Sequence, residues 1–100
     1  MEFINVSLRD GLEMTEEKGK YRLIDVREPY RYEKQHLKGA VNRPYGILQE
    51  EDYKEKKDLI VYCDFGGQSM MAARHLAKEG FRVYNIVGGV YYYLEEWKDG

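Results

Sequence analysis

Leu59-Ile60-Val61-Tyr62-Cys63-Asp64-Phe65-Gly66-Gly67-Gln68-Ser69 decides the reading of this chain. Its first four residues are apolar at consecutive positions, the pattern of a strand buried on both faces and so placed near the centre of a parallel sheet. Gly66 and Gly67 mark a turn, and the spacing predicts a helix that opens at Gln68 or Ser69, runs through Lys78 and stops at Gly80. Met70, Ala73, Leu76 and Ala77 form its expected inward stripe. The only cysteine therefore stands at the carboxyl end of a central strand, directly before a turn into a helix. Backbone N–H groups at such a turn converge on one spot, and with the helix dipole they favour negative charge there. A thiol so placed ionises more readily and becomes a nucleophile. The competing reading, a small buried hydrophobe, ignores the strand-turn-helix setting, which favours a functional thiol.

Outward from this stretch, short apolar runs alternate with helical ones. Phe3 to Val6, Tyr21 to Val26, Ala40 to Arg43, Leu59 to Cys63 and Val83 to Val87 read as strands. Ser7 caps a helix from Leu8 to Lys18 that turns Leu8, Leu12 and Met14 inward, with Gly19 as its stop. Pro29 suits the first turn of a helix over Tyr30 to Gln35. A last helix follows Gly88-Gly89 and carries Val90, Tyr93, Leu94 and Trp97. Strands alternating with helices require crossover connections, hence an α/β fold with a parallel sheet covered on both faces. In such sheets the binding crevice lies outside the carboxyl ends of the strands, where Cys63 sits.

One hundred residues with 43% hydrophobic content suit a single domain over 1–100. A lone cysteine excludes an intramolecular disulfide and a cysteine-based zinc cluster and fits a reducing compartment, so a cytoplasmic location is expected. No apolar run is long enough to cross a bilayer and no basic-then-apolar leader opens the chain, so no membrane association is expected. Sixteen basic and eighteen acidic residues leave a net charge of -2 with no basic field to hold nucleic acid. The mixed-sign run Glu50 to Asp58 reads as a solvated helix face leading into a strand. Among ten tyrosines, Tyr91-Tyr92-Tyr93 reads first as amphipathic packing and second as an interaction patch.

Three segments resemble the rhodanese-like domain family of sulfurtransferase domains. Leu23-Ile24-Asp25-Val26-Arg27-Glu28-Pro29 through His36-Leu37-Lys38-Gly39-Ala40-Val41-Asn42-Arg43-Pro44 is similar to the family's Asp-Val-Arg-Glu, His-Ile-x-Gly-Ala and Asn-x-Pro signature. Cys63-x-x-Gly66-x-x-Ser69 resembles its active-site loop, and Val83-Tyr84-Asn85-Ile86-Val87-Gly88-Gly89-Val90 its closing strand and Gly-Gly turn. The resemblance implies a five-stranded, mainly parallel sheet flanked by helices on both faces and a cysteine that carries sulfane sulfur as a persulfide. Cys63 is then the nucleophile. Asp64, Phe65, Gly66, Gly67, Gln68 and Ser69 form the loop that receives the sulfur, with N–H donors stabilising thiolate and persulfide alike. The implied partners are a small sulfur donor such as thiosulfate, a thiosulfonate or a persulfide, including one borne by a protein, and a thiol or cyanide acceptor. No metal or organic cofactor is implied.

Asp25 and Arg27 match the family's strand-end pair, read as an ion pair or turn-capping network that supports the site ahead of any direct chemistry. Arg31 follows Arg27 by four residues and reads either as a bidentate ligand for an anionic donor or as a solvated arginine. His36 matches the family's histidine and is expected to be buried and hydrogen-bonded rather than an acid-base catalyst. Gln68 stands where many active members carry arginine, and Asp64 sets a carboxylate beside the nucleophile, opposing its ionisation and disfavouring small dianions. Two other readings compete. A phosphatase or arsenate reductase of the same fold needs Cys-x5-Arg, where this chain has Ser69. A non-catalytic binding or sensing module would keep the fold without turnover.

Overall fold

The computed structural model describes residues 2–99. Its five strands, β1 (Ile4–Val6), β2 (Tyr21–Asp25), β3 (Val41–Asn42), β4 (Asp58–Tyr62) and β5 (Val83–Ile86), pair in the order β1-β5-β4-β2-β3. Every pairing is parallel. The expected α/β sheet is therefore all-parallel, with β4 in its middle.

Alternation along β4 divides the core in two. Leu59, Val61 and Cys63 point to one face, where helix α4 (Gly67–Lys78) packs Ala72, Ala73, Leu76 and Ala77 against them. Ile60 and Tyr62 point to the other, with Leu23, Leu37, Ile86, Val90 and Leu94. That second face also receives half-buried Leu8, Leu12 and Met14 from helix α1 (Leu8–Met14), as expected. Helix α2 (Pro29–Lys34) starts on Pro29, and α5 (Tyr91–Asp99) follows the Gly88-Gly89 turn.

Several details depart from the sequence reading. Helix α1 stops at Met14 rather than Lys18, because Thr15 caps it with its hydroxyl on the Leu12 carbonyl, 2.6 Å away. Glu16, Glu17 and Lys18 offer no apolar face to prolong it. Helix α4 begins at Gly67, Ser69 and not Met70 takes the inward position of its first turn, and Met70 is exposed. Tyr92 and Tyr93 are also exposed rather than packed inward. The side chain of Trp97 lies outside the described residues. Arg43-Pro44-Tyr45-Gly46 forms an unforeseen short 3-10 turn, packed against α4 through Gly46, where an added Cβ would lie 2.8 Å from the Ala72 Cβ.

The largest correction concerns the charged run. Helix α3 (Glu50–Glu55) does lead into β4 with exposed Glu50, Glu51 and Lys54, but Asp52 is fully buried. Its carboxylate accepts from Arg43 Nε at 2.6 Å, the Gln49 backbone N–H at 2.7 Å and Arg22 Nε. Burial alone raises the Asp52 pKa, but these donors outweigh it and hold the carboxyl below its ordinary range.

Candidate active site

Cys63 follows the last residue of β4 and is 2% exposed. The chain turns at Gly66, whose φ of 101° is a left-handed value natural to glycine. That turn folds the start of α4 back onto the sulfur. Gly66 N–H donates to Sγ at 3.0 Å and Ser69 N–H at 3.3 Å. The sulfur thus does for the first turn of α4 what a capping side-chain oxygen ordinarily does, since the N-cap Gly66 has none to offer. Donors and dipole together stabilise negative charge on sulfur.

Beneath the sulfur runs a polar chain that the sequence reading missed. The Ser69 hydroxyl lies 3.5 Å from Sγ and donates to Asn85 Oδ1 at 2.6 Å, and Asn85 Nδ2 donates to Asn5 Oδ1 at 3.0 Å. Asn5 and Asn85 are register partners on β1 and β5. An asparagine on the α4-facing side of an otherwise apolar strand, Val83-Tyr84-Asn85-Ile86, is the signal that points to it.

The loop is held from above by the Gly88-Gly89 turn. Val90 N–H donates to the Cys63 carbonyl at 3.0 Å and Tyr91 N–H to the Asp64 carbonyl at 2.9 Å. Backbones approach so closely that a Cβ on Gly89 would stand 2.0 Å from the Asp64 carbonyl oxygen.

Beside the loop lies an ion network. Arg27, 2% exposed, donates to both carboxylate oxygens of Asp25, to Asp64 Oδ1 at 3.1 Å and to the Gln35 carbonyl at 2.6 Å. Tyr62 hydroxyl donates to Asp25 Oδ2 at 2.7 Å and accepts from Leu37 N–H at 3.1 Å, a second partner not foreseen. Burial, reinforced by Asp25, pushes the Tyr62 pKa far up, so the phenol stays a donor. Asn42 Nδ2 bonds the Asp25 and Arg27 carbonyls, tying β3 to the same corner. Asp25 and Arg27 therefore form a buried ion pair that is hydrogen-bonded to Asp64 of the loop.

Three expectations are corrected here. Arg31, read as a ligand for an anionic donor or as a solvated arginine, instead makes a two-point ion pair with Asp64, Nε to Oδ2 at 3.0 Å and Nη2 to Oδ1 at 3.1 Å. The Asp64 carboxylate, read as an opposing charge beside the thiol, is matched by Arg27 and Arg31. Burial raises the Asp64 pKa, yet hydrogen bonds from Arg31 and Arg27 prevail and keep it below the usual carboxylate range. His36 is exposed, not buried: its ring stacks on Tyr32 at 3.8 Å and Nδ1 bonds the Tyr32 carbonyl, while neighbouring Leu37 takes the buried place.

Outside the sulfur opens a pocket of about 350 Å³ lined by Cys63, Asp64, Phe65, Gly67 and Gln68. Phe65 is exposed and clusters with Tyr91 at 4.8 Å and Tyr92 at 6.1 Å, giving the mouth an aromatic lip.

Residues 8–96 match the model of the rhodanese-like domain. This chain belongs to that family. Among rhodanese-like relatives it is 38% identical over 81 residues to the thiosulfate sulfurtransferase GlpE of Coxiella burnetii, covering 76% of this chain and 70% of that one. It is also 38% identical over 71 residues to the putative sulfur carrier protein YrkF of Bacillus subtilis, covering 68% of this chain and 38% of the carrier's length. A rhodanese-related protein from Thermoplasma volcanium superposes with a TM-score of 0.68 at 26% identity, over 96% of this chain and 93% of that one. Among the described residues no helix is long and apolar enough to cross a membrane.

Proposed function

We propose that this rhodanese-like chain is a sulfurtransferase that carries sulfane sulfur as a persulfide on Cys63. The observation that carries the reading is the pair of N–H groups of Gly66 and Ser69 aimed at a sulfur that lines an open pocket. The same donors that favour a thiolate also favour the terminal sulfur of a persulfide, so both resting forms are stabilised by groups already in place.

In the first half-reaction the Cys63 thiolate attacks the outer sulfur of the donor. A new S–S bond forms, the donor's S–S bond breaks, and the electron pair of that bond leaves with sulfite if the donor is thiosulfate, or with a thiolate if it is an organic persulfide. In the second, an acceptor nucleophile attacks the outer sulfur of Cys63 persulfide and the cysteine departs as thiolate. Cyanide leaves as thiocyanate and a thiol as its persulfide. Kinetics are ping-pong. Asp25, Arg27 and His36 touch no reacting atom in this scheme; the first two hold the loop. The single cysteine suits a reducing compartment, from which we infer a cytoplasmic setting.

Incubation with thiosulfate or glutathione persulfide, followed by intact-mass and peptide mass spectrometry, tests the proposal. One added sulfur on Cys63, discharged by cyanide as thiocyanate and absent from a folded Cys63→Ser variant, is the expected result. Folded protein that gains sulfur from none of the donors refutes it and favours a binding module.

A further inference from the structure

The sulfur pocket lies next to two guanidinium groups yet has no cation in its lining. Its walls are Cys63, Asp64, Phe65, Gly67 and the neutral Gln68. Arg27 is buried beneath it, shared between Asp25 and Asp64. Arg31 is the more accessible of the two, its side chain 20% exposed, and Asp64, 22% exposed, holds it in parallel hydrogen bonds. Tyr91 backs the same guanidinium, its ring centroid 5.4 Å from Cζ. Two carboxylates and two guanidinia therefore cancel within the cluster, and Asp64 is its one member among the residues that line the pocket.

We propose that Asp64 determines the donor specificity of the site: by locking Arg31 it withholds a cation from dianionic donors and directs the pocket to persulfides of organic thiols. The inference rests on the sulfurtransferase reading for its substrate class, though not for its electrostatics. Thiosulfate is a dianion whose charge is shared between its outer sulfur and its sulfonate oxygens, and the pocket lining offers it no free guanidinium. An organic persulfide brings at most one charge to the reacting sulfur, and its carbon chain meets the Phe65, Tyr91 and Tyr92 lip. The step balances as before: the Cys63 thiolate takes the outer sulfur and the organic thiolate departs with the bonding pair.

The decisive measurement is the ratio of Cys63 alkylation rates by iodoacetate and iodoacetamide, anionic and neutral reagents of nearly equal size, run beside persulfide loading from thiosulfate. Asp64→Ala should raise the iodoacetate-to-iodoacetamide ratio, and the thiosulfate loading rate, by roughly tenfold to a hundredfold, the factor a charge-assisted hydrogen bond is worth. Asp64→Asn, which keeps an acceptor for Arg27, should move both the same way. Arg31→Ala should lower the ratio, since Asp64 loses a counter-charge, and the Asp64→Ala/Arg31→Ala pair should cancel most of the gain. A ratio unmoved by the Asp64 variants, or a gain that survives loss of Arg31, overturns the proposal. If an Asp64 variant fails to fold, the opposite shift in Arg31→Ala carries the test. The two readings fail separately. A shifted ratio with no persulfide from any donor removes sulfur transfer and leaves the charge lock, whereas loading without a shift removes the lock alone.

Discussion

Replacing Gly89 by alanine tests whether the Gly-Gly turn positions the nucleophile's loop. Gly89 has φ +74°, and its added Cβ would lie 2.0 Å from the Asp64 carbonyl oxygen and 2.5 Å from the Phe65 nitrogen. Both neighbours are backbone and have no rotamer by which to give way. Gly19, with φ +85° and nothing within 4 Å of its Cβ position, isolates the conformational part alone. Gly19→Ala should therefore cost about 1–2 kcal/mol, the left-handed penalty of an L-residue. Gly89→Ala should add roughly 1–3 kcal/mol for overpacking, about 2–5 kcal/mol in all. At about 4 °C per kcal/mol for a domain of this size, Tm should fall by roughly 4–8 °C in the first variant and 8–20 °C in the second. Circular-dichroism melts measure both. Because the displaced atoms are those of the Cys63 loop, iodoacetamide alkylation of Cys63 should slow in Gly89→Ala and not in Gly19→Ala. Equal melting points, or equal alkylation rates in a folded Gly89→Ala protein, would refute the idea that this turn pins the site.

Other outcomes follow from the polar networks. Ser69→Ala leaves the buried Asn85 Oδ1 without the hydroxyl that reaches it at 2.6 Å and should destabilise the fold by about 1–3 kcal/mol in urea titration, while Cys63 keeps both N–H donors and remains open to alkylation. Asp52 is held ionised below its ordinary value of 3.8, so its contribution is complete above that value and is lost as pH falls through its lower folded pKa. Asp52→Asn should remove roughly 3 kcal/mol at neutral pH, the lower end for breaking a buried pair, and flatten the acid limb of stability measured by urea melts between pH 7 and 2.

Much of this architecture was legible because hydrophobic period reports directly on burial. Leu59 to Tyr62 is apolar at every position and became the central strand; Ser7, Pro29 and Gly80 mark helix ends by local chemistry that needs no partner. The nucleophile's setting was legible for the same reason, since strand, glycine turn and helix are contiguous in the chain. What escaped depends on contacts far apart in sequence. Asp52 looks solvated among its neighbours and is buried only because Arg22 and Arg43 arrive from β2 and the segment after β3. Arg31 lies thirty-three residues from Asp64, and no spacing rule anticipates that the two would neutralise each other. The misplacement of Met70 has a smaller cause: Ser69 and Met70 lie four and three residues before Ala73 on the same helix face, and the buried Asn85 acceptor draws Ser69 inward.

The asparagine ladder gives the outermost strand a say in the chemistry. β1 is three residues long and sits at the sheet margin, where fraying is cheapest. Through Asn5, Asn85 and Ser69 its docking is transmitted to the cysteine by successive hydrogen bonds. When that margin lifts, Asn85 loses its amide partner and the hydroxyl it anchors is freed to turn. The thiol's surroundings are thus tied to a short strand at one edge of the sheet, and whatever steadies the first strand also steadies the sulfur.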